Sequence, residues 1–259
     1  MYATERRAVI ERMILDDGRV SVLDLADRFE VTTETVRRDL DQLEATGALR
    51  RVHGGAVAPD RESTAEPSIA QRLQRQGAAK TAIARRAIAA IGRDFRGSVY
   101  LDAGTTTNAV AAQLAPHLAA AAIEVVTHSL TLAHALAGVP GASLTIIGGR
   151  VRGVTAAAVG ADTVRAIEAI RPDVAFLGTN GVSADFGLST PDPDEAAVKR
   201  AIVRAARRVV VVADADKLGR ELLVGFAALS EIDVLVTDAA PDENLSAALV
   251  DADVEVWLA

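Results

Sequence analysis

The feature that most constrains the fold is a pair of short amphipathic helix patterns, which follow each other almost without a gap in residues 21–43. Ser21 and Thr32 are residue types that cap helix N-termini, and one stands before each pattern. Because so few residues separate the two helices, the chain must turn sharply between them, which predicts a helix-turn-helix. The apolar residues that recur at helical spacing are Val22, Leu25, Ala26, Phe29, Val36, Leu40 and Leu43.

A third helix and a hairpin complete a small domain around that pair. Residues 4–16 predict a helix that packs against the other two, and short apolar runs flank His53-Gly54-Gly55, which is a hairpin signal. A winged helix-turn-helix of this kind places its third helix in the major groove and its wing near phosphates. We therefore predict a DNA-binding domain in residues 1–57. The predicted DNA contacts are Thr33, Thr35, Arg37, Arg38, Arg50, Arg51 and His53.

The charge of this segment is the main argument against DNA binding. Residues 1–57 contain nine arginines, no lysine and eleven carboxylates, a formal charge of −2, whereas DNA-binding domains are often basic. The alternative is a three-helix domain with a solvated charged face. The pattern favours DNA binding, because positive charge is concentrated at Arg37, Arg38, Arg50 and Arg51. We expect weak non-specific binding and a need for avidity through a dimer.

The run Thr33-Glu-Thr-Val-Arg-Arg-Asp-Leu-Asp-Gln-Leu43, followed by Arg51-Val-His-Gly-Gly-Ala56, closely resembles the DeoR family of bacterial transcriptional repressors. The resemblance continues through most of the chain. It implies a repressor of a sugar catabolism or uptake operon, with a C-terminal sensor domain similar in architecture to ribose-5-phosphate isomerase. The implied partners are operator DNA, a phosphorylated sugar and further copies of the chain in a dimer or tetramer. We expect no catalytic residues and no cofactor.

Composition narrows the remaining possibilities. The chain has 259 residues, of which 50% are hydrophobic, so it can bury one small and one larger core. It has no cysteine, which excludes a disulfide framework and a thiolate metal site, and we expect no metal. No apolar run approaches the length of a membrane span, and no basic-then-apolar leader precedes the first helix. These features predict a cytoplasmic protein without a membrane partner.

The rest of the chain predicts a linker and an α/β domain. Residues 58–77 are polar and contain two prolines, which is typical of a linker. In residues 78–259, short β-branched runs alternate with helix patterns. Continuous runs of this kind indicate a mostly parallel sheet covered on both faces. The predicted strands are 98–101, 124–127, 144–147, 174–177, 209–212, 234–236 and 254–257.

Ligands of open α/β sheets bind at the carboxyl ends of the strands, so we examine the segments that follow them. After the first strand, Asp102-Ala-Gly-Thr-Thr-Thr-Asn108 places hydroxyls and backbone N–H groups at a helix N-terminus, which suits a phosphate. Ordinary threonine capping is the alternative. After the second strand, Ser129 can cap a helix, and His128 stands where the family tends to have Asn. His128 either alters the ligand contacts or adds a group that can titrate near neutrality, and a structural role is the alternative to both.

The segments after the later strands add further candidates. Gly148-Gly149-Arg150 predicts a hairpin turn, from which Arg150 or Arg152 reaches either a phosphate or solvent. Small residues in Gly178-Thr-Asn-Gly181 allow a ligand to approach the backbone, and the Asn suits sugar hydroxyls. Asp192-Pro-Asp-Glu195 predicts a helix start with a capping box.

Three charged residues close the set of candidates. Glu195 and Lys199 are four apart on one helix face, so they form either a surface salt bridge or, as the resemblance implies, part of the effector site. Lys217 is a candidate phosphate ligand, which Asp216 could weaken by pairing with it. The predicted effector-binding residues are Asp102, Gly104, Thr105, Thr106, Thr107, Ser129, Gly178, Thr179, Asn180, Gly181, Glu195, Lys199 and Lys217.

Other functions and other effectors stay open at this point. A sugar-phosphate isomerase needs a general base near its substrate, and residues 178–181 contain no acid, although Asp102 and Glu195 are possible bases. A dinucleotide-binding domain lacks the glycine fingerprint. The run 176–191 most resembles fructose-operon regulators, which favours fructose 1-phosphate. Glycerol 3-phosphate, a tagatose or galactitol phosphate and a deoxyribose phosphate remain alternatives, as does the direction in which the effector acts on DNA binding.

Overall fold

The computed structural model describes residues 2–17, 19–46, 48–52, 54–57, 63–64, 66, 69, 72, 76–92, 95–118 and 123–259. The chain divides into two compact units, Met1–Glu62 and Ser63–Ala259. The predicted linker, residues 58–77, and the predicted DNA contact His53 lie largely or wholly outside the described residues.

The first unit is a winged helix-turn-helix. Ser21 Oγ accepts a hydrogen bond from the backbone N–H of Leu23 at 3.2 Å, and Thr32 Oγ1 accepts one from Thr35 at the same distance. Both caps thus begin the helices that the sequence predicts. The elements are α1 (Ala3–Asp17), β1 (Arg19–Ser21), α2 (Val22–Phe29), α3 (Thr33–Ala45), β2 (Arg50–Val52) and β3 (Gly55–Val57).

The hairpin of this unit is part of a three-stranded antiparallel sheet in the order β1-β3-β2. The strand β1 was not predicted, because three residues between two helices carry too weak a pattern. Its pairing explains Gly55, where an added Cβ would lie 2.1 Å from the carbonyl oxygen of Val20. Any larger residue at position 55 would therefore push β3, and with it the β2–β3 hairpin that forms the wing, away from β1.

The second unit contains a seven-stranded sheet in the order β15-β14-β12-β9-β4-β5-β6, and every neighbouring pair is parallel. The predicted α/β fold class is confirmed. The strands are β4 (Gly97–Leu101), β5 (Ile123–Thr127), β6 (Ser143–Ile146), β9 (Val174–Gly178), β12 (Val209–Val212), β14 (Val234–Thr237) and β15 (Glu255–Leu258). The helices are α4 (Gly77–Ala87), α5 (Thr105–Leu118), α6 (Leu130–Ala137), α7 (Ala161–Glu168), α8 (Pro193–Ala205) and α9 (Glu243–Asp251).

The central strands β9, β12 and β14 are buried on both faces, which explains their continuous apolar runs. Along β12, Val209 and Val211 pack into one core cluster with residues of α7, α8 and α9. Val210 and Val212 pack into another with residues of α4, α5 and α6. Successive side chains of a strand point to opposite faces, so a strand covered on both sides needs an apolar residue at every position.

Two smaller antiparallel sheets were not predicted. One has the order β10-β11-β13, formed by Gly181–Ser183, Gly187–Thr190 and Val224–Ala227. The other is a ribbon of β7 (Arg150–Arg152) and β8 (Ala157–Val159). The prediction of a hairpin turn at 148–150 was wrong, because β7 pairs with β8 and not with β6. An added Cβ on Gly149 would lie 2.0 Å from Thr163 Oγ1, so this glycine lets the chain pass close to α7.

Candidate functional site

Four of the predicted DNA contacts, Thr33, Thr35, Arg37 and Arg38, lie on α3. Its buried face is formed by Val36, Asp39, Leu40 and Leu43. Arg37 and Arg38 lie on the other side, with side chains 55% and 78% exposed. Thr33 and Thr35 are half-buried in the first turn, and Thr35 Oγ1 lies 2.9 Å from the Oγ1 of the capping Thr32.

A single carboxylate lies between the two arginines. Glu34 Oε1 is 3.3 Å from Nε of Arg38, and Glu34 Oε2 is 4.0 Å from Nη1 of Arg37. Exposed pairs of this kind contribute between nothing and about 1 kcal/mol. Both guanidinium groups can therefore exchange Glu34 for a DNA phosphate or a base edge at little cost.

Arg51 in the wing contacts α3 in this structure. Its Nη1 donates to the carbonyl oxygen of Arg37 at 3.2 Å and pairs with the carboxylate of Asp41, and its side chain is 25% exposed. The backbone N–H of Arg51 also donates to Glu44 Oε1 at 2.7 Å. Arg51 therefore joins the wing to α3. Arg50 lies in the adjoining position of β2, and its side chain is outside the described structure, as is His53.

Sequence reasoning missed the buried ion pair that holds α1 on α3. Arg6 Nε lies 2.6 Å from Asp39 Oδ2, and each side chain is 7% exposed. A signal for it was present, since Asp39 stands three residues after Val36 and four before Leu43 on the apolar face. An acid at such a position needs a buried partner, and an arginine of the first helix supplies it.

In the second unit, the centre of the predicted effector site lies where the strand order reverses. The chain runs from β4 to its neighbours β5 and β6, and then returns to β9 on the other side of β4. Asp102 follows β4 and Gly178 ends β9. Asp102 Oδ2 accepts a hydrogen bond from the backbone N–H of Gly178 at 2.9 Å. The crevice at such a switch point is where open α/β sheets bind ligands.

Lys199 completes this centre from α8. Its Nζ lies 2.5 Å from Asp102 Oδ2 and 2.8 Å from the carbonyl oxygen of Gly178, and both charged residues are buried. The surface salt bridge between Glu195 and Lys199 was therefore the wrong alternative. Lys199 pairs with a residue 97 positions away, and the desolvated pair depends on both partners.

The threonine run opens α5 beside Asp102, as the sequence predicts. Thr107 is fully buried, and its Oγ1 donates to the carbonyl oxygen of Gly104 at 2.9 Å. Thr105 is buried and Thr106 is half-buried. The first N–H groups of α5 have no carbonyl of the same helix to bond, so they are suited to an anion.

His128 is buried behind Asp102. Its Nδ1 lies 3.0 Å from the hydroxyl of Tyr100, and its Nε2 lies 3.7 Å from Asp102 Oδ1. Burial lowers the pKa of His128 from its ordinary value of 6.5 to about 4, although Asp102 acts in the opposite direction. The alternative in which His128 titrates near neutrality was wrong, and the residue is a buried, hydrogen-bonded part of the fold. Next to it, Ser129 caps α6 by accepting a hydrogen bond from Leu132 N–H at 3.4 Å.

Glu195 lies one turn before Lys199 and has different partners. Asp192 Oδ1 caps α8 by accepting from the backbone N–H of Glu195 at 3.0 Å. The Glu195 carboxylate does not close the expected box, because it contacts Arg152 Nη1 at 3.1 Å and the hydroxyl of Thr155. Burial raises the pKa of Glu195, and the nearby charge of Lys199 offsets part of that rise.

Arg152 pairs with three carboxylates in a second, largely buried cluster of charges. It lies 3.0 Å from Asp192 and 2.6 Å from Glu66, in addition to Glu195. Burial alone would lower the pKa of this guanidinium, but Glu195, Glu66 and Asp192 together raise it. The solvated-turn interpretation of Arg152 was therefore wrong. Arg150, its neighbour in β7, pairs with Asp194 on the exposed surface.

The remaining predicted residues follow β9 and β12, two neighbouring parallel strands that end on the same side of the sheet. Thr179 Oγ1 donates to the carbonyl oxygen of Gly181 at 2.8 Å, and Asn180 Oδ1 accepts from Thr190 at 3.0 Å. Lys217 lies in a short turn after β12, with its Nζ 3.9 Å from Asp214 Oδ1. Sequence reasoning missed Asp214, which is buried and whose pKa burial raises.

The described part of the chain shows neither a metal-binding cluster nor a membrane-spanning helix. It contains no cluster of His, Cys, Asp or Glu residues placed to hold a metal ion. Among the same residues, no helix is both long enough and apolar enough to cross a membrane. The two acids considered as catalytic bases, Asp102 and Glu195, are held in ion pairs with Lys199 and Arg152.

A winged helix-turn-helix joined to an α/β unit defines a class of DNA-binding regulators. Residues 6–62 match the DeoR-like helix-turn-helix domain, and residues 75–239 match the DeoR C terminal sensor domain. The chain belongs to the DeoR family of transcriptional regulators, which confirms the resemblance seen in its sequence. The prediction of a regulator and not an enzyme is also confirmed.

Similar proteins span nearly the whole chain. The HTH-type transcriptional regulator GlpR of Haloferax volcanii is 38% identical over 245 residues, covering 93% of this chain and 92% of that protein. The glycerol-3-phosphate regulon repressor of Escherichia coli K12 is 31% identical over 258 residues, covering 100% of both. The regulator FruR of Bacillus subtilis, itself uncharacterized, is 34% identical and covers 92% of each chain.

Two solved structures are more distant. The sorbitol operon regulator SorC of Klebsiella pneumoniae is 12% identical, with a TM-score of 0.42 over 96% of this chain and 99% of that one. Ribose 5-phosphate isomerase A of Methanocaldococcus jannaschii is 16% identical, with a TM-score of 0.38 over 54% of this chain and 53% of that one.

Proposed function

We propose that this protein represses an operon for sugar catabolism or uptake, and that a phosphorylated sugar releases it from its operator. The observation that carries the proposal is the buried Asp102–Lys199 pair at the switch point, next to the threonine-rich start of α5. Helix N–H groups and threonine hydroxyls suit a phosphate, and Asp102 and Asn180 suit sugar hydroxyls. The proposed domains are residues 1–57 for DNA and residues 78–259 for the effector, with 58–77 between them.

The operator would be bound by a dimer or tetramer. A helix-turn-helix regulator binds two half-sites with two recognition helices, and the acidic balance of residues 1–57 makes avidity valuable. Thr33, Thr35, Arg37, Arg38, Arg50, Arg51 and His53 are proposed to contact DNA. If the sugar phosphate binds better to the arrangement that is incompetent for DNA, operator affinity falls by the coupling free energy, typically about 1–3 kcal/mol.

Fructose 1-phosphate is the favoured effector because of the run 176–191, and glycerol 3-phosphate is the strongest alternative because one relative is a glycerol-3-phosphate regulon repressor. The decisive experiment measures the melting temperature of the protein against a panel of sugar phosphates, with each free sugar as control. A ligand that binds the folded state raises the melting temperature. A shift that requires the phosphate, followed by release of operator DNA with the same compound, is the expected result. No shift with any phosphate would contradict the proposed sensor.

The assignment of the two sites is tested by a pair of substitutions. Arg38→Ala is expected to reduce operator affinity by about 1–3 kcal/mol, as loss of a base contact does, while sugar phosphate binding is unchanged. Thr106→Val removes a hydroxyl from the start of α5, and it is expected to weaken sugar phosphate binding while operator binding is retained. DNA-binding anisotropy and calorimetry check the two results. If either substitution impaired both activities in a folded protein, the assignment would be wrong.

A further inference from the structure

The first residues of the second unit are attached to the loops around the proposed effector site. We call the described residues of this segment the strap: Ser63, Thr64, Glu66, Ile69 and Arg72. The carbonyl oxygen of Ser63 accepts from the N–H of Leu223, and the N–H of Ile69 donates to the carbonyl oxygen of Val154, both at 3.1 Å. The carbonyl oxygen of Arg72 accepts from Lys80 Nζ at 2.6 Å.

Glu66 is the charged contact of the strap. Its side chain is 4% exposed, and its Oε2 lies 2.6 Å from Nη1 of Arg152, while Oε1 lies 3.9 Å from Nη2 of Arg72. Burying a carboxylate is costly unless a positive charge lies close to it, and Arg152 supplies that charge. The ion pair with Arg152 is the shortest charged contact of Glu66, and it lies between the backbone hydrogen bonds of Ser63 and Ile69.

The same guanidinium serves the proposed effector site. Arg152 Nη1 lies 2.6 Å from Glu66 and 3.1 Å from Glu195, and its Nε lies 3.0 Å from Asp192. Three carboxylates thus share one positive charge. A ligand that adds negative charge here, or that hydrogen-bonds Glu195, redistributes the contacts of Arg152. Of these three carboxylates, Glu66 alone belongs to the strap, which begins directly after Glu62, where the first unit ends. A change in the contacts of Glu66 therefore acts on the segment that leads to the first unit.

We propose that Glu66 anchors the strap to Arg152, and that a sugar phosphate at the neighbouring site changes this anchor and so couples effector binding to operator binding. The proposal rests on the proposed function, since it assigns the route by which that site regulates DNA binding. A segment whose contacts change with the ligand, and which continues in sequence into the DNA-binding unit, can carry coupling between the two sites.

The test compares Glu66→Gln with Asp194→Asn in the full chain. Glu66→Gln keeps the shape of the side chain but removes its charge, and Arg152 retains Glu195 and Asp192. Asp194→Asn removes the exposed pair between α8 and Arg150 of the same ribbon, and it is the matched control. Anisotropy measures the affinity for a duplex that the wild-type protein selects from a random library, with and without fructose 1-phosphate or glycerol 3-phosphate. Calorimetry measures binding of each compound directly.

In the wild-type protein we expect a sugar phosphate to weaken operator binding about 5- to 150-fold, the usual range of such coupling. Glu66→Gln should still bind both DNA and the sugar phosphate, with a coupling factor at least about 5-fold smaller. Asp194→Asn should behave as the wild type. Wild-type coupling in Glu66→Gln would overturn the role of the strap and leave the proposed function standing. A wild-type protein that binds no compound of the whole sugar-phosphate panel would overturn both.

A second measurement applies if Glu66→Gln does not fold. The chain has no cysteine, so Thr64→Cys, at an exposed position of the strap, gives a single site for a spin label. The mobility of that label should change when fructose 1-phosphate or glycerol 3-phosphate binds in the absence of DNA. An unchanged spectrum at a saturating concentration of the compound that binds would overturn the proposal.

Discussion

The charged groups of the two candidate sites differ in burial. On α3, the side chains of Arg37 and Arg38 are 55% and 78% exposed, and their partner Glu34 is 62% exposed. At the carboxyl ends of β4 and β9, the side chains of Asp102 and Lys199 are 1% and 6% exposed. Exposed charges keep most of their hydration and can reach a long polymer. Buried charges have lost that hydration, so each depends on its partner. Substitutions of the exposed charges on α3 should therefore change DNA affinity with little change in the free energy of unfolding. Substitutions of Asp102 or Lys199 should change both ligand affinity and the free energy of unfolding.

The first unit also has a buried pair, so the difference belongs to the sites and not to the units as such. The side chains of Arg6 and Asp39 are each 7% exposed, close to the values for Asp102 and Lys199, and Asp39 lies next to Arg38 in α3. On this one helix the structural charge of Asp39 and the charge of Arg38, which is proposed to contact DNA, are neighbours in sequence but lie on different faces. At the carboxyl ends of β4 and β9, Asp102 and Lys199 are a buried structural pair and are also the proposed effector ligands.

The largest effect is expected for Lys199→Ala. This change leaves Asp102 buried without its cation, and breaking a buried pair costs about 3–5 kcal/mol of the free energy of unfolding. Urea denaturation of the full chain measures it. The double variant Asp102→Asn, Lys199→Met removes both charges and should recover most of the loss, because a neutral replacement of a buried pair is often tolerated.

The control for this prediction is an exposed pair on the same unit. Arg165 and Asp162 pair on α7 with side chains 70% and 82% exposed. Arg165→Ala should change the free energy of unfolding by less than about 1 kcal/mol. If Lys199→Ala were equally mild, Asp102 would not depend on its cation for stability, and the comparison between the two sites would fail.

The next effect concerns His128 and depends on pH. Since its pKa in the folded chain is about 4 and its ordinary value is 6.5, the unfolded chain takes up a proton between these values and the folded chain does not. The stability from keeping His128 neutral is fully present above the higher value and is lost as the pH falls toward the lower one. At about pH 5 the loss is about 2 kcal/mol.

The measurement compares wild type with His128→Asn by urea denaturation near neutral pH and near pH 5. Only the wild type should lose this increment. Glu195 and Asp214, whose pKa values burial raises, respond to pH in the opposite direction but are present in both proteins. Their contributions cancel in the difference. Identical pH profiles would show that His128 is not held neutral beside Tyr100, Asp102 and Lys199.

The sequence predicts those features that depend on local pattern. Helix caps at Ser21 and Thr32 and the alternation of apolar runs with helices are set by nearest neighbours, and the structure contains them. The apolar runs of β9, β12 and β14 are continuous because both faces of these central strands are covered. The strands β7, β8, β10, β11 and β13 are short runs rich in Gly, Ala, Ser and Arg, and they lack the β-branched series that marks the central strands.

The partners of the charged residues were not predictable in the same way. Spacing identified Lys199 and Glu195 as neighbours on one helix face, but their actual partners come from distant segments. Only the fold brings Asp102 and Arg152 to α8. Asp39 is the instructive exception, because an acid on an apolar helix face indicates a buried partner even when the partner cannot be named.

The smallest effect is expected for Glu34→Ala, and it tests the exposed side of the comparison. Glu34 contacts both Arg37 and Arg38. Its loss should cost no more than about 1 kcal/mol of stability, from two exposed pairs and a favourable position in the first turn. Operator affinity should rise a few-fold, because DNA no longer competes with Glu34 for the arginines and meets one negative charge fewer.

The matched control is Glu243→Ala, which removes an exposed acid from the first turn of α9 in the other unit. It changes the net charge equally and should leave operator affinity unchanged, which separates a local effect from a general one. A rise in affinity for both variants would point to the overall charge of the chain. A fall for Glu34→Ala alone would mean that the carboxylate orients the arginines for DNA, so that even exposed pairs on α3 are organised before binding.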